Sequence, residues 1–308
     1  WKNILVTLDQ PRFQVKVYLD YVLWVAITWI GFVFIVGSFI DPDLFFRATH
    51  GGEVQRLGGF LINPNELGML LSVGVGAMYL NLMRRGKFSF WYAFSWIVIV
   101  AALGMTQSRS SMISFALVSG YFLFLSGNLK LIIPSMVIGA AVAPVIFFTI
   151  FVKEGDVGEV ASMTGRLPFW KDLLTYAFPD RPVFGYGFMR IHYLDKFPSI
   201  HAYPGAMTHN TFMQVLMNLG VIGATNNFAQ MLFTIRAVFR QQDYWLTHTF
   251  PAVFFGIFIN SLTEFGIFGD ANYGIQWWLF LIFSNVLFVN PKPMLARHAP
   301  VYSPHAPR

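Results

Sequence analysis

Long apolar runs constrain how this chain of 308 residues can fold more than any other feature. Each run is close to the roughly 20 residues that a helix needs to cross a bilayer. They cover about Tyr18–Ile40, Leu67–Met83, Ser89–Met105, Met112–Ser126, Leu131–Val152, Asn210–Val238, Leu246–Phe265 and Ile275–Val289. Only 12% of the residues are charged, about half the proportion of a soluble domain. Period-two alternation is absent, so the sequence predicts an all-α, polytopic integral membrane bundle of about eight transmembrane helices.

Basic residues between these runs predict the orientation of the chain. The connection after the second run carries Arg84, Arg85 and Lys87 without an acid, and the tail is also basic. Such ends are cytoplasmic by the positive-inside rule, which places residues 41–62, 106–111, 153–208 and 264–273 outside. This topology accounts for the net charge of +6, and no nucleic-acid partner is expected.

The same pattern predicts the domain organisation. Residues 1–290 are expected to form a single transmembrane domain that includes a large outer loop at 153–208, and residues 291–308 a disordered cytoplasmic tail. The first residue is Trp, and no signal peptide precedes the first run, so a fragment without its natural N-terminus is expected. Cysteine is absent, which removes thiolate nucleophiles and cysteine metal ligands.

Thr208-His209-Asn210, followed by Gly220-Val221-Ile222-Gly223, combines an ionisable ring with two glycines. On a continuous helix, Gly220 would lie roughly 20° around the axis from His209, and Gly223 about 40° to the other side. The pattern predicts a stripe of small residues where another helix can approach closely beneath a histidine at the membrane surface. The alternative is a packing interface with an incidental histidine at its end.

Polar residues also mark a helix start on the predicted outer side. Asn63-Pro64-Asn65-Glu66 fits a helix N-terminus, with Asn63 as the N-cap and Pro64 at the first helical position. Arg56 precedes this motif in Arg56-Leu57-Gly58-Gly59. An arginine in such a loop is either solvated or functional.

Arg109 and Arg166 are candidates for binding an anion. Arg109 begins the fourth predicted helix, where free backbone N–H groups and the helix dipole attract negative charge. A guanidinium suits bidentate recognition of phosphate oxygens, although an arginine at a helix end can also snorkel to the membrane interface. Arg166 precedes an amphipathic stretch that is expected to lie in the interface. Its apolar residues at helical spacing are Trp170, Leu173, Leu174 and Ala177.

Taken together, these motifs resemble the shared domain of lipopolysaccharide O-antigen ligases and related polysaccharide polymerases. The pieces occur in the order of that superfamily: Arg56-Leu57-Gly58-Gly59, Asn63-Pro64-Asn65-Glu66-Leu67-Gly68, Thr106-Gln107-Ser108-Arg109-Ser110, Thr164-Gly165-Arg166 with Trp170, Gly185-Tyr186-Gly187, and His209-Asn210 with Gly220 and Gly223. The resemblance covers roughly residues 56–225. In the ligases a Thr follows the second glycine directly, whereas here Ala224 precedes Thr225.

The resemblance implies a GT-C-like glycosyltransferase of the bacterial inner membrane, with its active face and the 153–208 loop in the periplasm. Such an enzyme takes a glycan from undecaprenyl pyrophosphate and, as an O-antigen ligase, passes it to the lipid A core. A polymerase that joins O-antigen or exopolysaccharide repeat units is the alternative. The implied partners are the undecaprenyl pyrophosphate-linked donor, a lipid A-core or glycan acceptor, and membrane lipids.

The candidate residues fit this chemistry, which needs a stabilised leaving group and an acceptor hydroxyl that loses its proton. Arg109, Arg166 and Arg56 are predicted to bind the pyrophosphate. His209 is predicted to be the general base, because histidine titrates near neutral pH. Direct attack would invert the anomeric centre, and neither a cofactor nor a metal is expected. The residues predicted to support the site are Asn210, Gly220, Gly223, Asn63 and Asn65.

Other interpretations stay open. Asp41-Pro42-Asp43 has the spacing of the Asp-x-Asp element of metal-dependent transferases, but Pro42 restricts how the two carboxylates could converge. Asp270 or Glu264, after the seventh run, could orient His209 or could be solvated at the interface. A transporter of polysaccharide or lipid would also have many helices, but it should carry charges near the membrane midplane.

Overall fold

The computed structural model describes residues 12–49, 54–85, 87–152, 162–163, 165–187, 208–240, 254 and 256–264. They form the helices α1 (Arg12–Ile40), α2 (Pro42–Phe45), α3 (Pro64–Arg85), α4 (Phe90–Thr106), α5 (Arg109–Ser126), α6 (Leu129–Ile146), α7 (Arg166–Asp172) and α8 (Thr211–Arg240), and the strands β1 (Phe46–Thr49) and β2 (Val54–Leu57). The turns Phe147–Phe151 and Leu173–Ala177 are π-helical, and Phe178–Asp180 is a 3-10 turn. Residues 256–261 are helical and 262–264 form a turn, and together they are named the 256–264 segment.

Several predicted features lie outside the described residues. They are most of the predicted run at 246–265, the whole run at 275–289, the tail at 291–308, Asp270, and residues 153–161, 164 and 188–207 of the predicted outer loop.

Four of the described helices are long and apolar enough to cross a membrane. These spans are Tyr21–Ile40, Pro64–Met83, Arg109–Ser126 and Ile132–Thr149, and Phe90–Thr106 is a shorter apolar helix. The prediction of a helical, multi-pass membrane protein is therefore confirmed, while the count of eight spans stays a prediction.

The central helix of the bundle is α3, on which α1, α4 and α5 pack. Within its candidate span, 72% of the residues are buried. The main core contains Leu71 and Val75 from α3, Ile99 and Leu103 from α4, and Val118 from α5. In contrast, none of the span in α6 is buried. A helix that is apolar all round and unburied by protein is typical of a membrane span that faces lipid.

The structure fits the all-α prediction except for one short antiparallel hairpin. Strand β1 pairs with β2, so that Phe46 lies opposite Leu57 and Arg47 opposite Arg56. Strands of four residues carry too little periodicity for a sequence pattern to distinguish them from a loop. The hairpin matters for the site because it places Arg56 on a strand next to the start of α3.

The start and the middle of α8 correct the prediction that His209 and both glycines share one helix face. Helix α8 begins at Thr211, so His209 precedes the helix. Gly220 has φ 63° and ψ −168°, which are not helical and break α8 at that point. The assumption of a continuous helix was therefore wrong, and the angular spacing calculated from it does not apply.

At the break, residues 182–187 form backbone hydrogen bonds with α8. Tyr186 and Gly187 donate to the carbonyls of Met217 and Asn218 over 2.9 and 2.8 Å, and Val221 donates to the carbonyl of Pro182 over 2.8 Å. These hydrogen bonds to residues 182–187 replace the internal hydrogen bonds that α8 loses at the break.

Both glycines of the motif are explained by this break. A Cβ atom on Gly220 would lie 2.3 Å from the carbonyl oxygen of Val183, and its φ is in the left-handed region that favours glycine. A Cβ atom on Gly223 would lie 2.1 Å from Cβ of Leu219. Gly220 therefore allows the loop to dock on α8, while Gly223 makes room for the side chain of Leu219 across the break.

Replacement of Gly220 tests the break. We expect Gly220→Ala to lower the free energy of unfolding by about 2 kcal/mol. The Cβ atom of alanine would clash with the carbonyl oxygen of Val183, and the φ of residue 220 is unfavourable for alanine. Thermal unfolding in detergent measures the change. Gly120→Ala is the matched control, since a Cβ atom at this helical glycine would meet nothing within 4 Å. Equal stability of the two variants would contradict this role of Gly220.

Candidate active site

A buried carboxylate, Glu264, brings together three of the predicted site residues. Its side chain is 10% exposed. Oε1 accepts hydrogen bonds from Nη2 of Arg166 over 2.8 Å and from Nδ2 of Asn65 over 2.7 Å. Oε2 lies 3.0 Å from Nδ1 of His209. Of the two acids considered as partners of His209, Glu264 makes the contact.

The turn that carries Glu264 is held against the start of α8. The Glu264 amide donates to the carbonyl of Asn260 over 2.7 Å, which completes the turn after the helical residues. Nδ2 of Asn210 donates to the carbonyl of Leu262, and Oγ1 of Thr211 donates to the carbonyl of Glu264 itself. These hydrogen bonds join the 256–264 segment to Asn210 and Thr211, the two residues that directly follow His209.

His209 is presented by a tightly bonded tripeptide. Oδ1 of Asn210 accepts from the amides of Phe212 and Met213 over 2.9 and 3.0 Å, and so caps α8. The carbonyl of Thr208 accepts from Nε1 of Trp170 over 2.6 Å. His209 has φ 47°, an uncommon conformation that these flanking bonds hold in place. Its side chain stays 20% exposed, so the ring is accessible at the edge of the cluster.

Asn65 connects Arg56 to the carboxylate. Nδ2 of Asn65 donates to Glu264, and its Oδ1 accepts from Nη2 of Arg56. Nε of Arg56 donates to the carbonyl of Thr106 at the end of α4 over 2.9 Å. The predicted N-cap is confirmed, because Oδ1 of Asn63 accepts from the Asn65 amide over 2.9 Å. Arg56 is therefore a strand residue built into the site, not a solvated loop residue.

Arg166 approaches Glu264 from the first position of α7. Its Nη2 pairs with the carboxylate, and its Nη1 donates to the carbonyl of Thr263. Phe169, Leu173 and Ala177 form the buried side of this segment and pack against Met217 of α8. Anchoring α7 in this way sets where the guanidinium lies.

The predicted apolar stripe of this segment was partly wrong. Leu173 and Ala177 are buried as expected, but Leu174 is 44% exposed and Phe169 is buried in its place. The turn from Leu173 to Ala177 is π-helical and has more residues per turn than the α-helix assumed, which favours spacing by four residues. Trp170 is half-buried, and its ring N–H is used to hold Thr208.

Arg109 lies at the same end of the bundle. It is the first residue of α5 and is half-buried. The next residue, Ser110, donates to Oδ1 of Asn260 over 2.8 Å and so ties the start of α5 to the 256–264 segment. Ser108 occupies the N-cap position without a side-chain cap bond, since its hydroxyl lies 2.8 Å from that of Ser111 instead.

The charges around Glu264 favour its ionised form. Burial by itself would raise the pKa of this carboxyl, but the hydrogen bond with His209 and the positive charge of Arg166 outweigh it. The pKa of Glu264 therefore lies below its ordinary value. Arg166 thus pairs directly with this carboxylate, Arg56 reaches it through Asn65, and Arg109 begins the neighbouring helix α5.

The Asp-x-Asp element serves a different purpose. Oδ1 of Asp41 accepts from the Leu44 amide over 3.2 Å and caps α2. Both Asp41 and Asp43 are exposed. These contacts explain the element as a helix start.

Asn260 is a site residue that the sequence did not predict. It interrupts an apolar run four residues before Glu264. A lone amide inside a predicted membrane span is the sequence signal that would have identified it. The carbonyls of Thr106, Leu262 and Thr263 also contact the site, and backbone groups of this kind leave no trace in a sequence.

The described residues define a class of protein: a multi-pass helical membrane protein with a buried Glu-His-Arg cluster at one end of its helices. Residues 93–227 match the family model described as O-antigen ligase, which confirms the resemblance to the O-antigen ligase-like superfamily. The match covers a little under half of the chain and includes Arg109, Arg166 and His209. It supports an activity of the O-antigen ligase or polymerase type, with glycan and lipid substrates in general. A search of curated proteins gave no match.

The buried carboxylate can be tested through the pH dependence of stability. At neutral pH we expect Glu264→Gln to be less stable than the unmodified protein by about 3 kcal/mol, because the buried Arg166 loses its counter-charge. A lowered pKa means that this stabilisation is complete above the carboxyl's ordinary value of about 4.3 and is lost as the pH falls through the folded-state pKa. The stability gap should therefore narrow on acidification below about pH 5.

Thermal unfolding of both proteins at a series of pH values measures this gap. Asp43→Asn is the matched control, because Asp43 is exposed and its loss should leave stability nearly unchanged. A gap that stays constant down to about pH 3 would contradict a lowered pKa for Glu264 in the folded protein.

Proposed function

We propose that this protein is a glycosyltransferase that transfers a glycan from undecaprenyl pyrophosphate to the lipid A core at the periplasmic face of the bacterial inner membrane. The observation that carries the proposal is the contact between His209 and the buried Glu264, with Arg166 on the other carboxylate oxygen. The O-antigen ligase match covers His209 and Arg166 of this cluster and ends before Glu264, and it supports the substrate class.

In the proposed mechanism, His209 is the general base. An ionised carboxylate can only accept hydrogen bonds, so Nδ1 of His209 carries the hydrogen that faces Glu264. The neutral ring then has its lone pair on Nε2. Glu264 fixes the tautomer and stabilises the imidazolium that forms when Nε2 accepts a proton.

The transfer itself is a direct displacement. The acceptor hydroxyl attacks the anomeric carbon while Nε2 of His209 takes its proton. The bond between the anomeric carbon and the phosphate oxygen breaks, and undecaprenyl pyrophosphate leaves with the electron pair. Attack from the face opposite the leaving group inverts the anomeric centre. No metal ion takes part in this scheme, because arginines neutralise the pyrophosphate.

The three arginines have different parts in the proposal. Arg109 is the main ligand of the pyrophosphate, since it starts α5 at an N-terminus that favours anions. Arg166 and Arg56 bond to Glu264 and Asn65, so in this proposal they hold the cluster together and add positive charge beside the donor. Asn210, Asn63 and Asn65 support the site through the caps and bonds described above, and Gly220 and Gly223 through the break in α8.

An assay with a labelled undecaprenyl pyrophosphate-linked glycan tests the function. We expect the purified protein to join the glycan to added lipid A core, and His209→Ala to lower the rate by at least about 1,000-fold while donor binding is kept. Thermal unfolding of the variant checks that it is folded. Full activity of His209→Ala would overturn the role of the histidine.

The same assay separates the alternatives. Lengthening of the glycan without lipid A core would identify a repeat-unit polymerase. Movement of the labelled lipid across vesicle membranes without a new glycosidic bond would identify a transporter and overturn the proposal.

Removal of Arg109 tests the donor site. We expect Arg109→Ala to raise KM for the donor by about 10-fold or more. Arg166→Ala is expected to lower the stability as well, because Arg166 is the counter-ion of a buried carboxylate. Steady-state kinetics and thermal unfolding measure the two effects. Exposed Arg236 provides a control, and Arg236→Ala should change neither. An unchanged donor KM in Arg109→Ala would exclude Arg109 from the donor site.

A further inference from the structure

A second polar cluster lies beneath the candidate active site, around the side chain of Asn260. This residue is fully buried. Its Oδ1 accepts from the hydroxyls of Ser110 and Ser111 over 2.8 and 3.0 Å. Its Nδ2 donates to the hydroxyl of Ser114 over 3.0 Å and to the carbonyl of Gly256 over 2.7 Å. The amide thus uses its full hydrogen-bonding capacity inside the helical bundle.

The cluster joins three helical elements at one point. The hydroxyl of Ser111 lies 2.8 Å from that of Ser108, and that of Ser72 in α3 donates to the carbonyl of Ser111 over 3.0 Å. Close approach is possible because Gly68 of α3 has no side chain, and a Cβ atom there would lie 2.6 Å from Oγ of Ser111. The 256–264 segment is therefore bonded to α5, and α5 is bonded to α3.

The backbone of Asn260 faces the active site while its side chain faces this cluster. Its carbonyl accepts from the amides of Thr263 and Glu264 over 3.1 and 2.7 Å and closes the turn on which the carboxylate lies. The side chain meanwhile bonds to Ser110, the neighbour of Arg109. Asn260 thus links the turn that carries Glu264 to the first residues of α5.

We propose that Asn260 is a positioning residue, which anchors the 256–264 segment to α5 so that Glu264 is held against His209 and in register with Arg109. This inference rests on the proposed function for its effect on the rate, but its geometric part can be tested separately. Asn260 itself contacts neither His209 nor the donor site through a described hydrogen bond, so it acts through Glu264.

The physical argument concerns the cost of an amide in an apolar interior. A buried amide without partners is costly, so the four bonds of Asn260 allow only a narrow range of positions for the helix that carries it. Removal of the amide would leave three serine hydroxyls of α5 to find new partners and would let the segment slide along α5. Misplacement of a catalytic group by about 1 Å can lower the rate by about 100-fold, even when the mutation lies away from the reacting atoms.

A double-mutant cycle tests the proposal, with Asn260→Leu and Glu264→Gln alone and combined. In the otherwise unmodified protein, we expect Asn260→Leu to lower kcat by about 10-fold and to change the donor KM by less than about 2-fold. In the Glu264→Gln background, the same substitution should change kcat by less than about 2-fold, because the group through which it acts is gone. Equal losses of kcat in both backgrounds would overturn the proposal, as would an unchanged kcat.

A control variant separates positioning from general stability. Asn81 is also fully buried, and its Oδ1 accepts from the hydroxyl of Tyr92 over 2.7 Å. It lies 16 residues after Asn65 in α3, about 24 Å along the helix from the active site. Asn81→Leu should lower the melting temperature and leave kcat unchanged. If Asn81→Leu lowers kcat as much as Asn260→Leu does, the effect is one of stability and the proposal fails.

Two further measurements keep the proposal testable if Asn260→Leu does not fold or if the unmodified protein shows no transferase activity. If Asn260→Leu cannot be purified, Ser114→Ala removes one of the four bonds, and we expect it to lower kcat about 3-fold with the same dependence on Glu264. If the unmodified protein transfers no glycan, the proposed function fails, and the same cycle is measured by thermal unfolding. Non-additive losses of stability would then support the anchoring of Glu264 by Asn260, and additive losses would overturn it.

Discussion

The ion pair and hydrogen bonds of Glu264 are the interaction on which the rest of the candidate site depends. A buried carboxylate is tolerated only when opposite charge and hydrogen-bond donors surround it. Here the donors and the opposite charge come from three side chains. Arg166 begins α7, His209 lies just before α8, and Asn65 lies in the first turn of α3. Because one side chain needs all three, elements far apart in the sequence are brought to one point.

Several contacts in the surrounding fold fix the positions of the elements that meet at Glu264. The break at Gly220 lets residues 182–187 bond to α8, and the packing of Phe169 and Leu173 on Met217 fixes α7 beside it. Beneath the site, the Asn260 amide ties the 256–264 segment to α5. The arrangement leaves His209 at the accessible edge of the cluster, with Nδ1 facing Glu264, in line with the transfer chemistry proposed for it.

Sequence patterns predicted the elements of this site better than its geometry. The cap of Asn63, the early helical positions of Arg109 and Arg166, and the choice of His209 depend on local residue preferences, which act over a few neighbours and can be read from the chain. The glycine stripe was wrong because helical periodicity assumes a continuous helix, and a single glycine can end one. The hairpin of β1 and β2 was missed because its strands are too short to show a period.

The sequence by itself determined that this is a helical membrane protein with motifs similar to those of O-antigen ligases, because spanning length, low charge and ordered motifs are properties of the linear chain. It also reduced the acidic partners of His209 to Asp270 and Glu264. Only the tertiary structure decided in favour of contact with Glu264, and only it revealed that Arg166 and Arg56 bond to protein groups and that Asn260 lies beneath the site. The physical reason is that a buried charge selects its partners by distance in space, and residues 65, 166, 209 and 264 become neighbours only when the helices that carry them have packed.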